Sequence, residues 1–394
     1  MKKSPLVVIS LILFVAFSIF STQYWTTRML NENYDLNEGA VPLVYTSALL
    51  LVVAFLILLS RFAQIRKRGI HLVCFLWILI MPYVIYSSHG YNSYYVLTIL
   101  WPVLFELGYV LTRYEGVTIG SIRKWFILVF LVGLFYFIES RINVGSLVQT
   151  NTIYFPFLTL PFLLCVKNSK MQFLVLVMVS ILGIISYKRG ILLVTAVVWL
   201  FYLGTLLFKK RNVLKSLTLV FVITVGCIYA LSYIDSKSGG VIKERTQDTE
   251  EDEGGGRLEI YAVTFLMIQS SSVSDLVKGH GHYGVKANSP LDISAHNDVL
   301  EVIYDYGLII FFLYLCLWIY LIKRLMHLIK IKYEFTFPFF VSVVVFITMS
   351  MISHLILYTS YFNYLVVFWG CVEGASFHCS GLEMKSGNNL KLTR

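Results

Sequence analysis

The sequence predicts an all-α polytopic integral membrane protein with about 12 transmembrane helices. Three observations predict this class: the composition, the length of the apolar runs and the placement of the cations. Of 394 residues, 58% are hydrophobic and only 14% are charged, and the mean hydropathy is +0.75. A soluble domain typically has about 25% charged residues. The composition therefore excludes a soluble enzyme, a disordered chain and a disulfide scaffold.

Twelve apolar runs are candidate spans, since a bilayer crossing needs roughly 20 apolar residues. The first run follows Lys2 and Lys3 as in a signal peptide, but no small-residue cleavage site comes after it, so we expect an uncleaved span. The fifth, sixth and last runs are short for a full crossing, so the count lies between ten and twelve. In chain order the runs cover residues 5–22, 42–60, 70–87, 94–112, 124–139, 151–166, 171–187, 190–208, 214–234, 298–322, 336–355 and 358–375.

The distribution of Lys and Arg predicts the orientation of these spans. The formal net charge is +10, and most cations form short clusters between apolar runs. With the N-terminus in the cytoplasm, about two thirds of the 32 Lys and Arg fall in cytoplasmic segments, as the positive-inside rule requires. Twelve spans place both termini in the cytoplasm. We attribute the basic balance to membrane orientation and expect no nucleic-acid partner.

A polar segment of about 63 residues interrupts the apolar pattern after the ninth span. Its position predicts an extracytoplasmic loop, and loops of this length are usually functional or disordered. We expect its first part, 236–256, to be flexible and its second part, 257–276, to be helical, because apolar residues recur there at near-helical spacing. The predicted organisation is transmembrane helices 1–9 (1–234), the loop (235–297), transmembrane helices 10–12 (298–375) and a cytoplasmic tail (376–394).

Three cations on the predicted outer side are candidates for anion binding. Lys188 and Arg189 end the seventh span, against the orientation rule, and charges at membrane depth usually mark function. The bidentate fork of an arginine suits a phosphate group, although snorkelling to lipid headgroups explains this position as well. Arg257 follows three glycines that let the backbone approach a ligand, and an ion pair with Glu259 or with the acidic run before it is the structural alternative.

A cluster of polar residues precedes the tenth span. Asp298 and Glu301 fit a capping box, with Asp298 as the N-cap and Glu301 at N3, and Asn297 lies beside them as a supporting residue. His296 is not explained by capping. It lies just outside the predicted helix, where an imidazole can accept a proton near neutral pH. A solvated surface histidine is the alternative for this residue.

Other polar residues are weaker candidates. His280 lies in Gly279-His280-Gly281-His282, which indicates a glycine-punctuated turn rather than a metal site, since no further ligand motif accompanies it. Arg141, Glu106 and His354 could line a polar cavity. The six cysteines lie in apolar runs or in the tail without a CxxC pair, so we expect no disulfide, no structural zinc and no other cofactor.

Four motifs, taken in order, resemble those of the O-antigen ligase and polymerase family of bacterial envelope glycan enzymes. They cover roughly residues 175–310 and fall on the predicted outer side of the membrane. Lys188 departs from the family, which often has Ser or Thr before this arginine. The motifs are Ser-Tyr-Lys-Arg-Gly (186–190), Gly-Gly-Arg-Leu-Glu-Ile-Tyr (255–261), Lys-Gly-His-Gly (278–281) and His-Asn-Asp-Val-Leu-Glu-Val-Ile-Tyr-Asp-Tyr-Gly-Leu (296–308).

The resemblance implies a metal-independent glycosyltransferase of the GT-C type, acting on a glycan linked to a polyprenyl diphosphate in the outer leaflet of the bacterial inner membrane. By position, Arg189 and Arg257 match the family's diphosphate-binding arginines, with Lys188 beside them, and His296 matches its proposed catalytic histidine. Two fixed guanidiniums would stabilise the charge that develops on the diphosphate, and His296 would take the proton of the acceptor hydroxyl.

Two kinds of enzyme use this donor chemistry and differ in the acceptor of the glycan. A polymerase transfers the growing chain to another lipid-linked repeat unit, and a ligase transfers it to lipid A–core. The motif from His296 to Leu308 is closer in style to polymerases, which we favour. A chain-length regulator and a flippase of the same pathway are the expected protein partners. From another class, a lipid-linked oligosaccharide flippase would place charges in mid-span and show pseudo-symmetric halves, whereas here the charges cluster at one outer face.

Overall fold

The computed structural model describes residues 4–30, 40–65, 69–89, 94–143, 150–209 and 256–389, together with the isolated positions 226, 229, 232 and 236. Within this part of the chain the regular structure is entirely helical. The helices are α1 Pro5–Leu30, α2 Ala40–Arg61, α3 Ile70–His89, α4 Tyr94–Arg113, α5 Ile119–Asn143, α6 Tyr154–Leu158, α7 Leu160–Leu163, α8 Ser169–Ile185, α9 Arg189–Lys209, α10 Arg257–Ser270, α11 Val273–Lys278, α12 Gly284–Asn288, α13 Asp298–Glu301, α14 Gly307–Lys330, α15 Thr336–Ile352 and α16 Thr359–Asn389.

Several of these helices have the length and composition of membrane spans, which supports the predicted class. Four apolar helical segments are long enough to cross a bilayer, and four further apolar helices are shorter. The count of twelve spans stays a prediction, because most of the predicted ninth span and most of the first part of the loop lie outside the described residues. The long segments are Pro5–Arg28, Ala40–Gln64, Ile119–Asn143 and Asp298–Lys330, and the shorter ones are Ile70–Tyr86, Ser169–Ile185, Arg189–Thr205 and Thr336–Ile352.

The centre of the bundle is the pair α4 and α16, whose backbones lie in close contact. A Cβ on Gly370 would overlap the carbonyl oxygen of Phe105, and a Cβ on Gly374 would overlap the hydroxyl of Thr112. That hydroxyl donates to the carbonyl oxygen of Cys371 across the interface at 3.1 Å. Small residues at such a contact allow the close helix packing that is typical of membrane proteins.

Residues 151–166, predicted as the sixth span, do not form one helix. A 3₁₀ turn, Asn151–Ile153, leads into the short helices α6 and α7. Pro156 and Pro161 lie within this stretch, and a proline lacks the backbone donor that a continuing helix requires. The last predicted span shows the opposite difference, since α16 continues to Asn389 and so includes most of the predicted tail.

The predicted tenth span is also interrupted, and this break holds the loop in place. A π-helical turn, Val302–Tyr306, separates α13 from α14. The loop supplies donors to its carbonyl groups, since the backbone N–H of His280 donates to Tyr304 at 2.9 Å and that of Gly281 donates to Asp305 at 2.7 Å. The Lys-Gly-His-Gly motif therefore forms a turn that packs on the broken helix. The helical prediction for 257–276 is confirmed by α10 and the first turn of α11.

Candidate active site

A cavity of about 440 Å³ brings the predicted site residues together at one end of the bundle. Lys188, Arg189, Arg257 and His296 all line it. They come from the turn between α8 and α9, from the start of α10 and from the segment before α13. Elements separated by more than a hundred residues in sequence therefore converge on one site.

Local backbone geometry places the three cations. Tyr187 adopts a left-handed conformation with φ of +54°, which turns the chain so that α9 begins at Arg189. Gly256 has a φ of +70°, and Arg257 is the first residue of α10. Helix N-termini carry a partial positive charge, so a cation there is unfavourable for the helix unless an anion binds. The arrangement favours a negatively charged ligand.

The electrostatics of the described cavity lining agree with this expectation. The lining contains three cations, two histidines and no aspartate or glutamate. Lys188 lies with its Nζ atom 5.8 Å from the ring centroid of Tyr154. Because no carboxylate shares this wall with the cations, a bound diphosphate would meet attraction from the lining without like-charge repulsion.

The second imidazole at the cavity is His354, which lies in the segment between α15 and α16. Its ring stacks on that of His296, with centroids 4.7 Å apart and an interplanar angle of 18°. Its Nδ1 atom lies 3.2 Å from Oε1 of the buried Glu301. The same oxygen accepts the backbone N–H of His296 at 3.1 Å. Glu301 thus orients one histidine through its ring and the other through its backbone.

The protonation of His296 follows from this environment. The pKa of His296 is lowered from 6.5 to about 4, mainly by burial and in smaller part by the nearby His354, Arg257 and Lys188. The imidazole is therefore neutral at neutral pH and has a lone pair available for a proton. Its φ of +52° is unusual for a residue with a side chain, and the hydrogen bond to Glu301 helps to hold it there.

The capping prediction is wrong by one residue. The N-cap of α13 is Asn297, whose side-chain oxygen accepts from the backbone N–H groups of Val299 at 2.9 Å and Leu300 at 3.3 Å. Asp298 is instead buried within the bundle and binds the segment that carries His354. Its Oδ1 atom accepts from the backbone N–H of Leu355 at 2.8 Å and its Oδ2 atom from the hydroxyl of Tyr314 at 3.1 Å.

Glu301 likewise does not act as the N3 partner of a capping box. It lies four residues after the observed N-cap, one position beyond N3, and its carboxylate accepts from the backbone N–H of His296 rather than from that of Asp298. A short polar side chain and a carboxylate about one turn later can accept from several different sets of backbone donors near a helix start. The sequence pattern alone does not choose among them.

Two weaker candidates lie outside the cavity lining. The Nε2 atom of His280 lies 2.9 Å from the hydroxyl of Ser271, and its ring stacks on Tyr304 at 4.0 Å. The guanidinium of Arg141 lies 4.6 Å from the ring centroid of Tyr187. His280 therefore supports the loop, and Arg141 supports the turn that carries Lys188 and Arg189. Among the described residues no group of three or more His, Cys, Asp or Glu side chains is arranged to hold a metal ion.

Tyr261, in the same motif as Arg257, explains how α10 is positioned. Its hydroxyl donates to the carbonyl oxygen of Met351 at 2.9 Å, and the amide of Asn297 donates to the same oxygen at 3.3 Å. Three parts of the cavity wall are thus joined at the end of α15. Sequence reasoning missed this contact and the Glu301–His354 pair, because no local pattern relates residues more than fifty positions apart.

Comparison with known proteins agrees with the resemblance that the motifs indicated. Residues 173–315 match the family model for O-antigen ligase. This region is little more than a third of the chain and contains the three cations and His296. The match confirms the resemblance for this region. No curated protein matches the chain.

Proposed function

We propose, with the O-antigen ligase match as the premise, that the chain is a metal-independent membrane glycosyltransferase. In this proposal it polymerises polyprenyl-diphosphate-linked oligosaccharide repeat units at the outer face of the bacterial inner membrane. The observation that carries the proposal is the single cavity that Arg189, Arg257 and His296 share, without a carboxylate in its described lining.

The reaction assigned to this cavity is one displacement at the anomeric carbon. The hydroxyl oxygen of the acceptor sugar attacks that carbon, and the bond between the carbon and the diphosphate oxygen breaks. The hydroxyl proton passes to the neutral ring of His296, and the electron pair of the broken bond stays on the diphosphate. Attack from the face opposite the leaving group inverts the anomeric centre.

Arg189 and Arg257 supply the electrostatic part of the catalysis. Charge grows on the diphosphate as the bond breaks, and guanidiniums held at helix starts are preorganised to stabilise it, with Lys188 adding a third positive charge. The protonated His296 later loses its proton to solvent. In this scheme the cations stabilise the negative charge on the leaving diphosphate, and His296 accepts the proton of the acceptor hydroxyl.

The arginine variants test this assignment. We expect Arg189→Gln and Arg257→Gln each to reduce polymer synthesis by about 100-fold or more, as loss of one preorganised partner usually does. Lysine at either position restores charge without the bidentate fork, so it should recover only part of the activity. Arg61→Gln is the matched control, since Arg61 pairs with Glu115 at 3.0 Å at the far end of α2. Wild-type polymer from either arginine variant, with equal protein in the membrane, would reject the diphosphate role.

A ligase that transfers the finished glycan to lipid A–core is the second candidate, because the matched family is described by that reaction and the match fits either enzyme equally. The two reactions share the donor and differ in the acceptor, so complementation separates them. A strain that lacks its polymerase carries a single repeat on lipid A, and a strain that lacks its ligase accumulates lipid-linked polymer. The chain should restore long polymer in the first strain and leave the second unchanged.

A further inference from the structure

The wall of the cavity beside the two histidines is aromatic. Trp25 from α1, Tyr154 from α6, and Tyr358 and Tyr361 from the segment that begins α16 all line the cavity. Tyr154 and Tyr361 are buried, whereas Trp25 and Tyr358 are only partly buried. The exposed ring surface that reaches the cavity therefore belongs mainly to Trp25 and Tyr358.

The aromatic rings form a stack that starts at the proposed base, His296. The ring of His354 stacks on that of His296, and the ring of Tyr358 stacks on that of His354 with centroids 4.6 Å apart. The ring of Trp25 contacts Tyr358 edge-on at 4.9 Å. Tyr361 stacks against Tyr358 at 5.6 Å. A ligand that lies on Trp25 and Tyr358 is thus in the same cavity as His296 and is separated from its imidazole by one ring, that of His354.

The two exposed rings are held in fixed positions. The indole Nε1 of Trp25 donates to the hydroxyl of Ser360 at 3.4 Å, which joins α1 to the start of α16. Tyr154 packs behind Tyr361 with centroids 5.4 Å apart. Rigid aromatic rings lose little conformational entropy when a ligand binds, so they are effective contact surfaces.

The chemistry of this wall suits a sugar ring. A pyranose has an apolar face of C–H groups that packs on an aromatic ring, while its hydroxyl groups lie around the edge and remain free for reaction. The cationic wall, in contrast, suits a phosphate group. Trp and Tyr also concentrate at bilayer interfaces, but here they line the same cavity as Arg257 and His296.

We propose that Trp25 and Tyr358 form a saccharide subsite that binds a pyranose ring of the acceptor glycan. The identification of this sugar as the acceptor rests on the proposed function, because it depends on His296 taking the proton of the acceptor hydroxyl. The binding of a saccharide at the aromatic wall does not depend on catalysis and is tested separately.

The test uses tryptophan fluorescence of the full chain in lipid nanodiscs. All seven tryptophans lie in the part of the chain that the structure describes, and Trp25 is the only one of them that lines the cavity. The probe is the lipid-free and phosphate-free repeat-unit oligosaccharide, released from the surface polysaccharide of the strain that encodes the chain. We expect a saturable fluorescence change that Trp25→Phe alters and that Trp125→Phe leaves intact. Trp125 is a matched control, because it is partly buried on α5 and lies outside the cavity lining.

Binding and turnover should change together in the ring variants. Trp25→Leu and Tyr358→Leu keep an apolar side chain without the ring, and each should raise the half-saturating oligosaccharide concentration and the apparent KM about tenfold, the scale of aromatic contacts. Tyr358→Phe keeps the ring and should stay near wild type. If Trp25→Leu does not fold, the wild-type titration and the Tyr358 pair still decide the outcome.

Two results would overturn the subsite. One is the absence of any fluorescence response to the oligosaccharide in the wild type. The other is a Trp25 signal that responds only to a quencher attached to the nanodisc lipid, which would identify Trp25 as an interface anchor. Arg257→Gln separates this proposal from the proposed function. A normal oligosaccharide response with fully active polymer synthesis in that variant rejects the diphosphate role and leaves the saccharide subsite in place.

Discussion

His296 is the residue whose chemistry depends most on its surroundings. With the pKa of His296 lowered to about 4, mainly by burial, the fraction of neutral imidazole stays near one from pH 8 down to about 5. We therefore expect turnover to be flat across that range and to fall about tenfold per pH unit below pH 4. An ordinary histidine would produce this loss near pH 6.5.

The measurement is initial rate against pH with purified protein and saturating lipid-linked substrate. The stability of the folded protein should also fall with pH. Below pH 6.5 His296 binds a proton in the unfolded chain but not in the folded one, so its contribution to stability is fully present above about pH 6.5 and is lost as the pH falls towards 4. Thermal unfolding at each pH separates this loss of stability from the loss of turnover. A loss of turnover near pH 6.5, in protein that is still folded at that pH, would contradict a buried and neutral His296.

Glu301 gives a second prediction at the residue scale. Its carboxylate binds the backbone N–H of His296 and the ring of His354, so Glu301→Gln should disturb the orientation of both histidines. We expect kcat to fall roughly 10- to 100-fold, as loss of an orienting partner often causes, while the half-saturating oligosaccharide concentration changes little. Glu259→Gln is the control, since Glu259 is exposed and lies outside the cavity lining. Equal losses of binding and turnover would indicate a general structural effect instead.

Single residues with unusual placement were predictable from the sequence, and their partners were not. Arg189 and Arg257 were identifiable because one breaks the orientation rule and the other follows three glycines. His354 was only a general candidate for a polar cavity, since its partner Glu301 is 53 residues away along the chain. The N-cap was assigned one residue too late, because Asn297 and Asp298 are both good capping residues and the choice depends on the tertiary contacts of Asp298.

At the scale of secondary-structure elements, two glycines fix the junction between the loop and the broken helix. Gly279 has φ and ψ of +81° and +162°, and Gly307 has +77° and +174°, a region that is essentially restricted to glycine. The two also meet in space, because a Cβ on Gly307 would overlap the carbonyl oxygen of Val277 and lie 2.6 Å from the backbone nitrogen of Gly279.

Alanine at Gly307 should therefore destabilise the folded protein. The backbone strain alone is worth on the order of 1–3 kcal/mol, and the overlap with Val277 adds to it. We expect a lower Tm in a fluorescence-detected unfolding assay of the purified protein. Gly204→Ala is the control, since Gly204 is helical and a Cβ there would meet no atom within 4 Å. An unchanged Tm for Gly307→Ala would show that the junction rearranges without cost.

Hydropathy predicted the long helices well because an unbroken apolar run in a membrane must satisfy its backbone hydrogen bonds within the helix. It predicted the interrupted ones poorly. Pro156 and Pro161 were visible signals for the break in residues 151–166. No such residue in the sequence marks the π-helical turn before Gly307. That turn depends on backbone donors from His280 and Gly281, which lie in the preceding loop.

At the scale of the whole molecule, α8 connects two chemically different ends of the bundle. Lys167 lies just before its start and lines a cleft with Arg123 and Glu334, and the turn with Lys188 and Arg189 follows its end. Seventeen residues of α-helix span about 25 Å, close to the roughly 30 Å thickness of the hydrocarbon core. The cleft and the cavity therefore lie at opposite ends of α8, and we expect them to face opposite sides of the bilayer.

The positive-inside rule predicts that the cleft end faces the cytoplasm, and the cations at the cavity are exceptions to the rule that binding of an anion would explain. We therefore expect an alkaline phosphatase reporter fused near residue 245 to be active and one fused at Glu115, between α4 and α5, to be inactive. A β-galactosidase reporter at the same two positions should give the reverse pattern, which controls for expression. If the fusion near residue 245 reads cytoplasmic, the cavity faces the cytoplasm. A lipid-linked donor in the outer leaflet then could not reach Arg189 and Arg257, whatever their variants do.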